Sequence, residues 1–200
     1  MDKKVKSSYI SWVLSSWIDP KCFVIESGLP RAFKGWKIGY KGLYAINKHF
    51  AKRLHFDLRL EKPVKTTFDS YFRIRKDKTP ELEIIEKEKT YASCLESFAL
   101  PKARLPKKSG DKVLAILVEP HPVEYITKLK YPFQIPAGEY GSPKDKPGRV
   151  YLEDRGTFEV LDISSKTIEL EIKGKKYSGK YAIVLSKAPD RFWVVKMKEE

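Results

Sequence analysis

From residue 36 onward, apolar and polar side chains alternate with a period of two along much of the chain. That is the period of a strand with one buried face. The strand-like runs are YAIN (44–47), LHFDLRL (54–60), TTFDSYFRIR (66–75), VLAILVE (113–119), RVYLED (149–154), TFEVLDI (157–163), TIELEI (167–172), KYAIVL (180–185) and FWVVKM (192–197). They are short, rich in β-branched and aromatic residues, and bounded by Gly, Pro, Asp or Lys. So many strands with so few helices predict a mainly β fold, a barrel or a sandwich. Helical spacing occurs only near the start, at Ile10, Val13, Leu14 and Trp17, and ends at Asp19-Pro20. FVIES (23–27) is a further short strand, and Gly28-Leu29-Pro30 is a break. Residues 76–93 are strongly charged and fit either a short helix after Thr79-Pro80 or an exposed hairpin. Residues 101–112 and 140–149 read as basic loops.

One strand carries chemistry. In LHFDLRLE (54–61), Leu54, Phe56, Leu58 and Leu60 fall on one face, and His55, Asp57, Arg59 and Glu61 on the other. The apolar face must be core. The second face fits the solvated side of an antiparallel sheet. It also fits a metal site, because an imidazole and a carboxylate two residues apart can reach one cation. His49 lies six residues before His55. It reaches the same pocket only if the chain turns at Ala51-Lys52-Arg53. Two His and one carboxylate leave coordination positions open, as in catalytic rather than structural sites. The third histidine, His121, sits between Pro120 and Pro122 at the end of a strand.

Composition narrows the class. The 200 residues carry a net charge of +14, which favours a polyanionic partner, nucleic acid before an anionic surface. Two distant cysteines, Cys22 and Cys94, form no disulfide framework and read as buried thiols. No apolar run approaches a membrane span. Serines interrupt the apolar start, which reads as a mature N-terminus of a cytoplasmic protein with no membrane partner.

KHFAKRLHFDLRLE (48–61) resembles the signature of the 3'-phosphoesterase domain of bacterial ligase D and its stand-alone archaeal and bacterial relatives. SFALPK (97–102), VEPHPVEY (118–125), IPAGEYG (135–141), VYLEDRGTFE (150–159) and the final FWVVKM resemble further blocks of that family, in the same order. The resemblance implies a small antiparallel β-barrel with a crescent-shaped active groove and a few short helices. It implies removal of a 3'-terminal ribonucleoside and then a 3'-phosphate from DNA or DNA/RNA ends, leaving a 3'-OH. It implies a divalent metal, Mn2+ or another transition metal, held by His49, His55 and Asp57. Arg59, His121, Tyr125 and Lys102 match the residues of the phosphate pocket. A monomer acting with a DNA ligase or end-joining factor in trans is the implied context. The other reading is a catalytically weak module that binds DNA ends.

The chain departs from the family pattern in three places. Residues 1–40 form a divergent N-terminal segment, in which Asp19, Glu26 and Arg31 stand in no family-like motif. Residues 62–96 form an insertion within what reads as a single domain. Lys112 or Val113 replaces an arginine that often precedes the strand leading to His121.

Overall fold

Every strand of the barrel finds a partner on both edges, so the sheet has no free edge in its wall. The structure, a computed structural model, describes residues 29–68, 71–74, 82–85 and 89–198. The expected N-terminal helix, FVIES and Cys22 lie outside these residues. The strands are β1 (Lys41–Phe50), β2 (Leu54–Lys62), β3 (Thr66–Phe68), β4 (Tyr71–Ile74), β5 (Leu82–Ile85), β6 (Lys89–Tyr91), β7 (Cys94–Leu100), β8 (Lys112–Leu117), β9 (His121–Pro122), β10 (Phe133–Ile135), β11 (Gly148–Ile163), β12 (Thr167–Gly174), β13 (Ser178–Leu185) and β14 (Arg191–Lys196). Eight of them close an antiparallel barrel in the order β1-β2-β7-β8-β14-β13-β12-β11, with β11 returning to β1. Closure removes the exposed edges that an open sheet would leave.

The barrel is filled, not hollow. Tyr44, Ile46, Leu58, Leu60, Phe98, Leu100, Phe158, Leu170, Ile183 and Phe192 belong to one buried cluster. A 3-10 turn at Arg31–Phe33 adds to it, with the Phe33 ring 5.6 Å from Phe192. A smaller cluster lies on the other side of the barrel wall. There Ala45, Leu95 and Val150 pack against Tyr125, Ile126 and Phe133. The segment after β8 therefore lies over the outer face of β1, β2 and β7. It contains β9, one helical turn at Glu124–Thr127, and β10.

Several details differ from the sequence reading. RVYLED and TFEVLDI are one strand, β11, because a bulge lets the chain continue past Glu153: Ile46 pairs with Asp154 but Asn47 with Leu152. TTFDSYFRIR divides into β3 and β4, which pair with β6 and β5. Where it is described, the charged stretch is therefore strand rather than helix, and β5 and β6 pair with the strands before it rather than with each other. CLESFAL forms a further strand, β7, although Glu96 and Ser97 break its apolar pattern. Leu54 is exposed rather than core, since it lies at the hairpin tip beyond the barrel. Cys94 is buried, as expected. No helix among the described residues is long and apolar enough to cross a membrane.

Candidate active site

The polar face of β2 is buried, not solvated. Its neighbours across the ladders put His49 opposite His55, Asn47 opposite Asp57, and Ser97 opposite Arg59. The three-residue turn at 51–53 reverses the chain, so His49 and His55 share a face. Side chains of that face lie beneath the segment after β8, leaving Asp57 5%, Arg59 5% and His49 8% exposed. Burying charge is costly unless it is paired and hydrogen-bonded, and these groups are paired.

Asp57 stands between the two imidazoles. Its Oδ2 is 3.3 Å from His49 Nδ1, and its Oδ1 is 3.3 Å from His55 Nε2. One ligand atom from each of the three residues lies within 4.8 Å of the others. The opposite ring nitrogens face backbone carbonyls. His49 Nε2 is 2.6 Å from the Gly141 oxygen, and His55 Nδ1 is 3.1 Å from the Arg53 oxygen. A carbonyl only accepts, so each of those nitrogens carries the proton. That leaves His49 Nδ1 and His55 Nε2 facing the carboxylate, as a lone pair where the ring is neutral and as a donor where it is protonated. With both rings neutral, three acceptors converge, and that arrangement needs a cation or a proton between them. Metal-binding histidines are oriented by the same kind of outward hydrogen bond. The donor set fits a divalent transition metal with open positions.

The electrostatics agree with a site that holds Asp57 ionised. Burial alone would raise its carboxyl, but Arg59, His49 and His55 hold it far below the usual carboxylate range. Burial alone would lower His55, but its bond to Asp57 raises it above the ordinary imidazole value. A charge partner therefore outweighs desolvation at both residues.

Arg59 extends the site. Its Nε donates to Asn47 Oδ1 at 2.9 Å, one terminal nitrogen to Ser97 Oγ at 3.0 Å, and the other to Asp57 Oδ2 at 3.2 Å. The Tyr125 ring lies 5.0 Å from the guanidinium carbon. Of the five guanidinium N–H groups, these bonds use three. His121 closes the pocket. Its Nδ1 donates to the Glu119 carbonyl at 2.9 Å and lies 3.2 Å from Ser97 Oγ. Its ring packs against Tyr125 at 4.9 Å. Burial, and next the field of Arg59, hold His121 well below its ordinary value, so it is neutral near pH 7.

Six of the seven residues singled out in the sequence meet here: His49, His55, Asp57, Arg59, His121 and Tyr125. Tyr125 is core and pocket wall at once. Lys102 is exposed in the turn after β7, and among the described residues no hydrogen bond or ion pair joins it to the cluster. Asn47, Ser97, Glu119 and Gly141 were missed. Asn47 was findable, because it lies two before His49 on the same strand face. Ser97 depends on the β2–β7 register, which no local pattern reveals. Glu119 is half-buried, desolvation raises its carboxyl, and it accepts from Tyr140 at 3.4 Å. Asn47 Nδ2 is buried with no hydrogen-bond partner among the described residues.

The residues of 62–96 reach this pocket indirectly. Glu124, beside Tyr125, accepts from Lys89 at 2.9 Å, Tyr91 at 3.0 Å and Lys128 at 2.8 Å. β6 is thereby tied to the helical turn that carries Tyr125.

Residues 89–185 match the family described as the DNA ligase D 3'-phosphoesterase domain. The multifunctional non-homologous end joining protein LigD of Mycolicibacterium smegmatis is 29% identical over 176 residues, covering 82% of this chain and 18% of that protein. LigD of Mycobacterium tuberculosis strain H37Rv is 28% identical over 161 residues, covering 78% of this chain and 16% of that protein. LigD of Pseudomonas aeruginosa is 29% identical over 164 residues, covering 78% of this chain and 15% of that protein. The chain spans less than a fifth of the length of these relatives. The resemblance read from the sequence therefore holds: over residues 89–185 the chain matches the 3'-phosphoesterase domain of DNA ligase D, and over most of its length it is similar to LigD proteins.

Proposed function

We propose that this protein is a metal-dependent phosphoesterase that heals 3' ends of DNA or DNA/RNA strands in repair. It removes a 3'-terminal ribonucleoside to leave a 3'-phosphate, removes a 3'-phosphate to leave a 3'-OH, or does both in succession. The observation that carries this reading is the convergence of His49 Nδ1 and His55 Nε2 on the Asp57 carboxylate, beside a buried arginine. Mn2+, or another divalent transition metal, held by His49, His55 and Asp57 would supply Lewis-acid polarisation of a phosphate oxygen and a more acidic water.

The chain's own groups do the rest. Arg59 retains two N–H groups, one on each terminal nitrogen, and grips two phosphate oxygens with them. Its three bonds to Asn47, Ser97 and Asp57 fix that fork before substrate arrives, so little reorganisation is needed as charge develops. The buried Asn47 amide, next to the Tyr131 hydroxyl, lies beside it and donates to a bound oxyanion. A water oxygen forms the new bond to phosphorus, and the bond to the 3' oxygen or to the leaving nucleoside breaks. His121 has its lone pair on Nε2, because Nδ1 donates to Glu119. It must gain a proton before it can give one to the leaving oxygen. The negative charge of a bound phosphate opposes the Arg59 field and moves it in that direction. Exposed Lys102 would hold the strand backbone rather than the reacting phosphate. Since the relatives are end-joining proteins, a DNA ligase or end-joining factor acting in trans is the proposed partner, with this chain as a monomer.

The test is conversion of a 5'-labelled primer-template ending in one ribonucleotide or a 3'-phosphate. Wild type with Mn2+ yields a 3'-OH end, and chelation or His55→Ala abolishes it. Absence of product with every divalent metal tried, together with retained DNA binding, would leave a non-catalytic end-binding module.

A further inference from the structure

The hairpin tip that carries His49 and His55 has a second face. On it the ladder registers align Lys48 with Tyr151 and with Phe56, and Phe50 with Arg149 and with Leu54. This face is continuous with the barrel interior at Phe56, but beyond the barrel it opens to solvent. Phe50 is 40% exposed, Leu54 39% and Tyr151 37%. The Phe50 and Tyr151 rings meet at 5.7 Å, near perpendicular. Lys48 Nζ lies 5.3 Å from the Phe50 ring centre. Arg149 is exposed on the same face, and the turn beside it presents exposed Lys52 and Arg53. None of the six residues aligned on this face is acidic.

An exposed cluster of two aromatic rings and a leucine calls for a partner. Charge complementarity selects its class. The cations ring the apolar patch, and the whole chain carries +14. Aromatic faces bordered by Lys and Arg are the physical recipe for single-stranded nucleic acid, with bases stacked on rings and phosphates on cations. The site for hydrolysis lies on the opposite face of the same hairpin, one strand thickness away, and Lys52 and Arg53 bridge the tip. We infer that Phe50 and Tyr151, with Lys48 and Arg149, form a stacking platform for unpaired nucleotides of the strand whose end enters the His49, His55 and Asp57 site. The inference rests on the end-processing reading for the identity of its ligand.

The experiment separates the two. A fluorescein-labelled single-stranded oligonucleotide, and a second one containing 2-aminopurine, are titrated into the full chain in metal-free buffer. Wild type binds and quenches 2-aminopurine. The Phe50→Ala/Tyr151→Ala variant binds about tenfold or more weakly, the scale of lost base–aromatic stacking, and no longer quenches. Phe50→Leu/Tyr151→Leu keeps apolar cover, melts like wild type, and shows the same loss, which separates stacking from folding. Phe50→Trp retains both binding and quenching. Unchanged affinity and quenching in the leucine variant would overturn the platform. So would a loss confined to phosphatidylserine vesicles, which would make the patch a membrane contact. Because binding is read without metal, a wild type that stacks oligonucleotides but hydrolyses no 3' end sinks the phosphoesterase reading alone. A wild type that hydrolyses ends with no contribution from these rings sinks the platform alone.

Discussion

Ser97 has the smallest side chain of the candidate active site and touches two of its reacting groups. Its hydroxyl accepts from Arg59 and lies 3.2 Å from His121 Nδ1. Ser97→Ala removes one anchor of the guanidinium while leaving the barrel interior alone. A hydrogen bond to a charged group contributes about 1.5–3 kcal/mol. Lost from the transition state, that is roughly a ten- to hundredfold fall in kcat/KM, with the melting temperature little changed. Steady-state kinetics beside thermal melts check both halves. Gly141 is the other unobtrusive determinant. It has φ +90, and a Cβ there would meet His49 Cε1 at 3.2 Å. Gly141→Ala therefore strains the loop whose carbonyl orients His49. Loss of such an orienting partner typically weakens metal binding about 10- to 100-fold, readable as a higher Mn2+ concentration for half-maximal activity. Unchanged metal dependence would mean that the Gly141 carbonyl does not set the His49 tautomer.

Elements, not single residues, decide which side chains meet. The pairing of β1 with β2 was legible because KHFAKRLHFDLRLE has the right period and a turn of the right length. Its apolar face was equally legible at Phe56, Leu58 and Leu60. The burial of its polar face was not, because the cover comes from residues about seventy positions later in the chain, and local pattern cannot register that contact. The same reason hides Ser97 and the joining of two runs into β11 through a bulge. The tie between β6 and the helical turn is another long-range link, and pH tests it. Burial raises the Glu124 carboxyl, but its bonds to Lys128, Lys89 and Tyr91 lower it to about 2, below its ordinary 4.5. The contribution is thus fully present above about pH 4.5 and is lost as pH falls through about 2. Protection of the Tyr91 and Tyr125 amides, taken relative to the intrinsic exchange rate at each pH, should fall across that window, and Glu124→Gln should show the lower protection already at neutral pH. Exchange that is identical in the variant would show that β6 is held elsewhere.

At the scale of the whole molecule, a filled barrel provides stiffness and a basic surface provides attraction. Leu58→Ala opens a cavity in the packed interior and costs about 2–5 kcal/mol, seen as a lowered denaturation midpoint. Binding of nucleic acid should fall steeply with salt, the slope set by the number of phosphates neutralised. Lys52→Ala/Arg53→Ala at the hairpin tip should flatten that slope by about 1–2 units, whereas an unchanged slope would take the tip out of the strand's path. The wall of the barrel is one strand thick, with packing on its inner side and chemistry on its outer side. Neighbouring codons of β2 therefore answer to different selective pressures. A saturation scan of positions 55–60 would read as two interleaved profiles. At 56, 58 and 60 the loss of cellular abundance dominates, whereas at 55, 57 and 59 the loss of turnover per folded molecule dominates. Substitutions could then accumulate on the outer register, shifting which phosphate ends are accepted, while the inner register keeps the fold that carries them.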